Sequence, residues 1–237
     1  MASGKYGDGG NSTMTETIAG KMQNKTLNVV IVLDRSGSMD VVRERTIDAF
    51  NDFIGKQRKE PGAETTFFSL YIFWDKVERL WSAVPVDRVT NLTPSTYHPN
   101  GNTALLDAIA MAIKETEQQG NVLIVCLTDG MENASRNYSF TAIRDLIRLK
   151  TDCNWEFLWL GSDEQSREFA LELGIPSENI ELFKVTDEGI QDSIDKISDS
   201  VSLKKQSGST AGWKDGSTTP TAPVKKQIPG KTHKKRQ

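Results

Sequence analysis

The sequence predicts an α/β fold in which a mostly parallel sheet carries helices on both faces and one antiparallel strand at an edge. Three observations predict it. Short apolar runs without alternation are typical of strands that are buried on both faces. These runs alternate along the chain with segments of helical periodicity, which indicates parallel strands joined by crossover helices. Two other runs follow each other across a short polar connection, which predicts a hairpin and hence the antiparallel strand.

The individual segments follow in order along the chain. Leu27–Leu33 and Asn121–Leu127 are apolar throughout and predict the central strands. Thr66–Phe73 and Val77–Val86 are separated by three residues only and predict the hairpin. Two further strands are predicted at Trp155–Leu160 and Ile180–Val185. Helices are predicted at residues 40–58, 103–118, 140–149, 162–173 and 188–203. The helix at 103–118 has the clearest apolar stripe.

Charge is distributed unevenly along the 237 residues, although the net charge is only −3. From Lys204 onward there are nine basic residues and one acid, Asp215, so this end carries +8 and the rest −11. Composition and charge predict a flexible leader at 1–25, one folded domain at 26–203 and a basic disordered tail at 204–237. The tail either aids solubility or forms a basic arm that contacts nucleic acid, an acidic protein or an anionic surface through its charge. Trp213, within the tail, is either a short docking anchor or incidental, and the second is favoured.

Several classes of protein are excluded by composition. No apolar run approaches the roughly 20 residues of a membrane span, and the N-terminus lacks the apolar core of a signal peptide. We therefore expect a cytoplasmic protein without membrane contact. Two cysteines cannot form a zinc framework and indicate a reducing compartment. A catalytic triad would depend on His98, which has no nucleophile motif near it and is expected to be a solvated loop residue.

Polar side chains follow the ends of both predicted central strands. The first strand leads into Asp34-Arg35-Ser36-Gly37-Ser38, and the second leads into Thr128-Asp129-Gly130. The loop Gly101-Asn102-Thr103 brings a hydroxyl to the start of a helix. Because the carboxyl ends of parallel strands meet at one edge, we expect a single site of hard oxygen donors there. Such donors suit Mg²⁺ or Mn²⁺ better than Zn²⁺, and the predicted ligands are Asp34, Ser36, Ser38, Thr103 and Asp129.

These segments, in this order and each on the expected element, resemble the metal-ion-dependent adhesion site (MIDAS) of the von Willebrand factor type A family. The resemblance covers roughly residues 26–203 and is to intracellular, bacterial or phage-type, single-domain members. It implies a doubly wound, Rossmann-like sheet of six strands. It also implies that the metal is touched directly by Ser36, Ser38 and Thr103, and mostly through water by Asp34 and Asp129. Family members inside bacterial cells often serve as adaptors in multiprotein assemblies, some beside AAA+ ATPases or in stress-response operons.

The resulting hypothesis is a binding module without enzymatic activity. A protein partner would offer an Asp or Glu to the bound Mg²⁺ or Mn²⁺ and complete its octahedral shell. One alternative is a Mg²⁺-dependent hydrolase that uses metal-bound water, although no general base stands beside the ligands. Another is a nucleic-acid-associated protein that acts through the basic tail.

Loops around the predicted metal are expected to form a rim, at Met39-Asp40, Met131–Arg136 and Ser162-Asp163. Arg136 either binds an acid of the partner or pairs with a local carboxylate, and the local pair is favoured. Asp107 is expected to be a helix-surface or capping acid and not a metal ligand.

Overall fold

The computed structural model describes residues 26–116 and 121–215. Across these residues the sheet has six strands, β1 (Leu27–Asp34), β2 (Thr66–Phe73), β3 (Val77–Pro85), β4 (Val122–Leu127), β5 (Glu156–Gly161) and β6 (Ile180–Leu182). The same part of the chain forms five α-helices, α1 (Arg43–Gln57), α2 (Leu105–Glu115), α3 (Phe140–Asp152), α4 (Glu164–Glu172) and α5 (Asp187–Ser207).

The strand order is β3-β2-β1-β4-β5-β6. β1 pairs in parallel with both β2 and β4, and β5 and β6 continue the parallel sheet. β3 pairs antiparallel with β2 at the edge. The predicted mostly parallel, six-stranded, doubly wound sheet is therefore confirmed. The direction of winding changes between β1 and β4, and in open α/β sheets ligand sites form at the carboxyl ends of strands at such a point.

Alternate residues of β1 enter two separate cores. Val29, Ile31 and Leu33 pack with apolar residues of α1 and α5, whereas Val30 and Val32 pack with residues of α2, α3 and α4. All eight residues of β1 are buried. A strand covered on both faces has no solvent side, which is why its sequence is an unbroken apolar run. Helices thus lie on both faces of the sheet, as predicted.

The segment that leaves β1 is tighter than predicted. Residues 40–58 are predicted as one helix, but a 3-10 helix over Gly37–Val42 precedes α1. Side chains three residues apart lie on the same side of a 3-10 helix, and this places both Met39 and Val42 in the core. The tight winding keeps Ser36 and Ser38 near the end of β1.

The largest difference from the sequence-based expectation is at the C-terminal end. α5 continues past residue 203, where the folded domain was predicted to end, and Gly208 caps it in the left-handed region with φ +80°. Lys204 is 1% exposed and its Nζ lies 3.2 Å from Glu156 Oε1. The prediction of a disordered tail is therefore wrong for residues 204–215. A count of basic residues could not show that some of them pair with acids of the folded domain.

Trp213 fixes the segment that follows α5. Its side chain is 3% exposed and belongs to the core formed with α1 and α5. Its Nε1–H donates a hydrogen bond to the carbonyl of Glu178 at 3.0 Å. The expectation that Trp213 is incidental is therefore wrong. The predicted leader at 1–25 and the remainder of the predicted tail at 216–237 lie outside the described residues.

The two cysteines are unpaired. Cys126, within β4, is 4% exposed, as its apolar surroundings predict, and Cys153 is exposed after α3. In residues 26–116 and 121–215, no helix combines the length and the hydropathy that crossing a bilayer requires.

Candidate metal site

Asp34, the last residue of β1, has a fully buried carboxylate that is held on both sides. Its Oδ1 accepts a hydrogen bond from the Ser36 N–H at 2.6 Å, and its Oδ2 accepts one from the Thr128 hydroxyl at 2.6 Å. Burial raises the pKa of Asp34 to about 6, although the hydrogen bonds from Thr128 and Ser36 lower it. A cation beside this carboxylate would favour its ionised form.

Ser36, Ser38 and Asp129 form a continuous group of oxygens across two strand ends. The hydroxyl oxygens of Ser36 and Ser38 lie 3.2 Å apart, and Ser38 donates to Asp129 Oδ1 at 2.7 Å. The loop after β5 joins them, because the Ser162 hydroxyl donates to the carbonyl of Asp129 at 2.8 Å. Partial burial raises the pKa of the Asp129 carboxyl.

Thr103 completes the group from the loop before α2, where it is 3% exposed. A Cβ built on Gly130 would lie 3.0 Å from Thr103 Oγ1 and 3.7 Å from Asp34 Oδ2. Both oxygens therefore flank one small space beside Gly130, and that space is open because glycine has no side chain. The structure thus brings together all five predicted residues at the carboxyl edge of β1 and β4.

The donor chemistry fits a hard divalent cation. Three hydroxyls and two carboxylates are oxygen donors of the kind that Mg²⁺ and Mn²⁺ accept, and these ions also retain bound waters. No group of three or more His, Cys, Asp and Glu suited to a metal occurs within the described residues. A site with only two carboxylates does not require such a group.

Residues that the sequence-based prediction did not single out hold Thr103 in place. The Thr103 N–H donates to Asn133 Oδ1 at 2.8 Å, and the Thr103 carbonyl accepts the N–H groups of Asn133 and Ala134. Glu132 Oε2 accepts the N–H of Leu106 at 2.8 Å, which satisfies a free donor in the first turn of α2. This loop was predicted only as a rim of the site, and no local pattern announces its contacts 26 to 31 residues away.

Asp107 fixes the continuation of the same loop. Its carboxylate accepts the backbone N–H groups of Arg136, Asn137 and Tyr138, each at 3.0 Å. Asp107 therefore caps a neighbouring loop, and the expected role at the surface or cap of its own helix is replaced by this one. Glu132 of the loop thus accepts a backbone N–H of the helix, and Asp107 of the helix accepts three backbone N–H groups of the loop, so the two segments are joined in both directions.

Arg35 stands between two candidate ligands in sequence, but its guanidinium makes other contacts. Its Cζ lies 3.6 Å from the ring centroid of Trp74, and Nη1 lies 3.2 Å from Nδ1 of His98. The Arg35 side chain is buried, and its Nε has no hydrogen-bond partner among the described residues. His98 is exposed, as expected of a loop residue, yet it is held by this contact.

Gly101 sets the path of the loop that carries Thr103. It has φ +71°, and a Cβ there would collide with the carboxylate of Asp75, which accepts two hydrogen bonds from Asn102. We expect Gly101→Ala to lower the free energy of unfolding by about 1–3 kcal/mol through backbone strain. It should also weaken Mn²⁺ binding, because Thr103 lies two residues further along. Thermal unfolding and Mn²⁺ titration followed by electron paramagnetic resonance measure the two effects.

Gly55→Ala provides the matched control for that substitution. Gly55 lies inside α1, and a Cβ there meets no atom within 4 Å. Alanine should stabilise this helical position by about 0.5–1 kcal/mol and leave Mn²⁺ binding unchanged. Equal unfolding temperatures for the two variants, with equal Mn²⁺ affinity, would contradict the role assigned to Gly101.

Comparison with known proteins shows likeness in structure and none in sequence. No protein-family model matches the chain, and no curated protein matches it. The PilB minor pilin from Streptococcus sanguinis is similar with a TM-score of 0.54 and 13% identity, over 76% of this chain and 62% of the pilin. A von Willebrand factor type A protein from Catenulispora acidiphila is similar with a TM-score of 0.51 and 17% identity, over 75% and 43%.

A third similar structure is proximal thread matrix protein 1 from the mussel byssus, described with a zinc-occupied MIDAS motif. Its TM-score is 0.53 and its identity 15%, over 74% of this chain and 46% of that protein. The chain therefore spans less than two thirds of each of these three proteins. At such identities the likeness shows the fold alone, and that fold is the one of a von Willebrand factor type A domain.

Proposed function

We propose that the chain is a divalent-metal-dependent module that binds a protein partner. Ser36, Ser38 and Thr103 hold Mg²⁺ or Mn²⁺ directly, and Asp34 and Asp129 support it mostly through water. When bound, the cation supplies an electrophilic position for a carboxylate of the partner. The observation that carries the proposal is the convergence of these five side chains, from three loops, at the carboxyl edge of β1 and β4.

The charge of the site supports binding of a carboxylate. Two carboxylates neutralise a divalent ion at most, and they do so less completely when they act through water. Three neutral hydroxyls add no further negative charge. An acidic side chain of a partner is therefore attracted to the open face of the ion. A site of four carboxylates would repel it.

The surroundings favour a protein partner over a catalysed reaction. Val41, in the segment that leaves Ser38, is 75% exposed, and Met131, directly after Gly130, is 37% exposed. Both side chains belong to segments of the site and are available for contact with a partner. His98 is the one histidine of the described residues, and its ring is engaged by Arg35. We therefore propose a role in binding and none in catalysis.

We place this module in the cytoplasm, in a reducing compartment. Both cysteines are unpaired, which supports the assignment. The family resemblance implies an adaptor role inside the cell, and we propose this role for the protein.

Ser38→Ala tests the metal site with little risk to folding, because Ser38 is exposed. Loss of a direct ligand should weaken Mg²⁺ and Mn²⁺ binding about tenfold or more, as measured by calorimetry. Ser82→Ala, which removes an exposed hydroxyl from β3, should bind these ions like the wild type. Zn²⁺ is titrated in parallel, because one similar structure holds zinc in its MIDAS motif. Equal Mg²⁺ affinities for Ser38→Ala and the wild type would show that the proposed metal site is wrong.

The same pair of variants tests recruitment of the partner. Immobilised wild-type protein and Ser82→Ala should retain a partner from a lysate of the source organism in Mg²⁺ and release it in EDTA. Ser38→Ala should not retain it. A partner that stays bound to all three proteins in EDTA would show that the partner binds independently of the metal.

A further inference from the structure

A cavity of about 640 Å³ opens beside the candidate metal site. It lies between the turn that joins β2 to β3, helix α2 and residues 134–138. Its position relative to the metal site follows from the loops that they share. Asn133 holds Thr103, and Arg136, three residues further on, lines the cavity. Three residues span at most about 10 Å, so a short peptide segment could cover both.

The acidic side chains of the cavity wall are already engaged by the protein. Asp75 accepts two hydrogen bonds from Asn102, and Asp107 accepts the backbone N–H groups of residues 136–138. Glu115 accepts hydrogen bonds from Arg79 at 2.6 Å and from the Tyr71 hydroxyl at 3.2 Å. These carboxylates all accept hydrogen bonds from the protein itself, and these bonds use part of their capacity to bind a cationic ligand.

The basic side chains of the wall are equal in number to the acids but differ in their contacts. Lys76, Lys114 and Arg136 are all exposed. Within residues 26–116 and 121–215, none of the three forms an ion pair. Lys114 donates to the Tyr138 hydroxyl at 2.9 Å, which is a neutral partner. The groups that remain available to a ligand are therefore cationic.

The remainder of the wall is apolar. Val77, Met111 and Tyr138 contribute to it, and all three are partly exposed. Methionine adapts its shape to different apolar groups, and Tyr combines an apolar ring with a polar end. A ligand that fits this wall has one or more anionic groups next to an apolar or aromatic side chain.

We propose that this cavity binds an acidic peptide segment, with carboxylates at Lys76 and Arg136 and an apolar or aromatic side chain against Met111 and Tyr138. A strand of nucleic acid fits the observations less well. Nucleic acid would require a basic groove that follows successive phosphates, and here the cations surround a single mixed cavity. The binding does not depend on the metal, because none of the lining side chains is a candidate metal ligand.

Fluorescence anisotropy of the full chain tests the proposal in EDTA, so that failure of the metal site does not affect the result. The probes are a fluorescein-labelled Glu-Glu-Tyr-Glu-Glu peptide, the matching Lys-Lys-Tyr-Lys-Lys peptide and a ten-nucleotide oligothymidylate. We expect binding of the acidic peptide only, and an affinity that decreases as salt rises. The charge reversals Lys76→Glu and Arg136→Glu, combined in one variant, should weaken binding about tenfold.

A second double variant, Lys59→Glu with Arg148→Glu, controls for the change in net charge. Both residues are exposed and neither lines the cavity, so binding should stay within about twofold of the wild type. The methyl resonance of Met111 should shift as the acidic peptide is added. Equal losses in the two double variants, binding of the oligothymidylate alone, or an unmoved Met111 resonance would each overturn the proposal.

Discussion

In EDTA, the Asp34→Asn variant is expected to unfold at a higher temperature than the wild type. In Mg²⁺, it is expected to unfold at a lower temperature than the wild type. Burial raises the pKa of this carboxyl from 3.8 to about 6, so at pH 7.5 the folded state contains a desolvated charge. That charge costs on the order of 2–3 kcal/mol, and its removal should raise Tm by roughly 4–8 °C. With Mg²⁺ the wild type gains the free energy of binding, whereas the variant should bind the ion about 10–100-fold more weakly.

Asparagine is the suitable replacement because it preserves the shape of the side chain. Its carbonyl oxygen can accept the Ser36 N–H, and the Thr128 hydroxyl can rotate to accept from the new amide. The pH dependence gives a further check. A carboxyl whose folded-state pKa is raised stabilises the fold at low pH and loses this contribution as pH rises through about 6. The advantage of the variant in EDTA should therefore disappear as pH falls from 6 to 4.

This prediction is contradicted if the unfolding temperature of the variant differs from that of the wild type in the same direction in EDTA and in Mg²⁺. Differential scanning calorimetry with 5 mM EDTA or 5 mM Mg²⁺ distinguishes the cases. A variant that is less stable in EDTA would show that the hydrogen bonds to Asp34 matter more than its desolvation. A variant that gains as much from Mg²⁺ as the wild type would remove Asp34 from the site.

Trp213→Ala is expected to have the largest effect on stability outside the site. The indole is 3% exposed and packs in the core shared by α1 and α5, and its N–H is bonded to the carbonyl of Glu178. Truncation of a buried aromatic side chain to alanine costs about 3–5 kcal/mol, which corresponds to a decrease in Tm of roughly 10 °C. Urea unfolding, followed by circular dichroism, measures the loss.

Two variants control for this result. Trp213→Phe retains the ring contacts and loses the N–H, so it should recover more than half of the loss. Leu149→Ala, at a side chain that is 57% exposed, should stay within about 0.5 kcal/mol of the wild type.

Two truncated chains test the same segment. Truncation after Leu203 should lower the free energy of unfolding more than truncation after Asp215, because it removes Trp213 together with Lys204 and its ion pair with Glu156. Equal stability of both truncated chains would show that the segment after α5 is not part of the folded unit.

The sheet was predictable because each of its strands carries a local signature. β1 and β4 are apolar throughout since both faces of each are covered, and the short connection between β2 and β3 permits only an antiparallel pair. Strand ends were correct to within one residue for β1 to β5, and β6 ends three residues earlier than predicted. Ile180–Leu182 pairs with β5 only, and an edge strand has fewer partners to extend it.

The members of the candidate site were predictable for a different reason. Parallel strands that are neighbours in the sheet place their carboxyl ends together, so oxygen-bearing residues after β1 and β4 had to approach one another. Their supports were not predictable. The supporting side chains accept hydrogen bonds from individual backbone N–H groups that lie 26 to 31 residues away, and no periodicity marks such a contact. They are Glu132, Asn133 and Asp107.

Patterns along the chain predict the class of fold, the edge of the sheet at which the oxygen donors gather and the hard character of those donors. These are properties of neighbouring residues, and hydrophobic periodicity and strand direction express them directly. The end of the folded unit, the pairing of charges and the position of the cavity depend instead on how distant segments pack. Lys204 counts as one more basic residue in the sequence, and it becomes a buried ion pair because α5 packs it beside Glu156. Its surroundings are set by contacts between distant segments, which the chain acquires only when it folds.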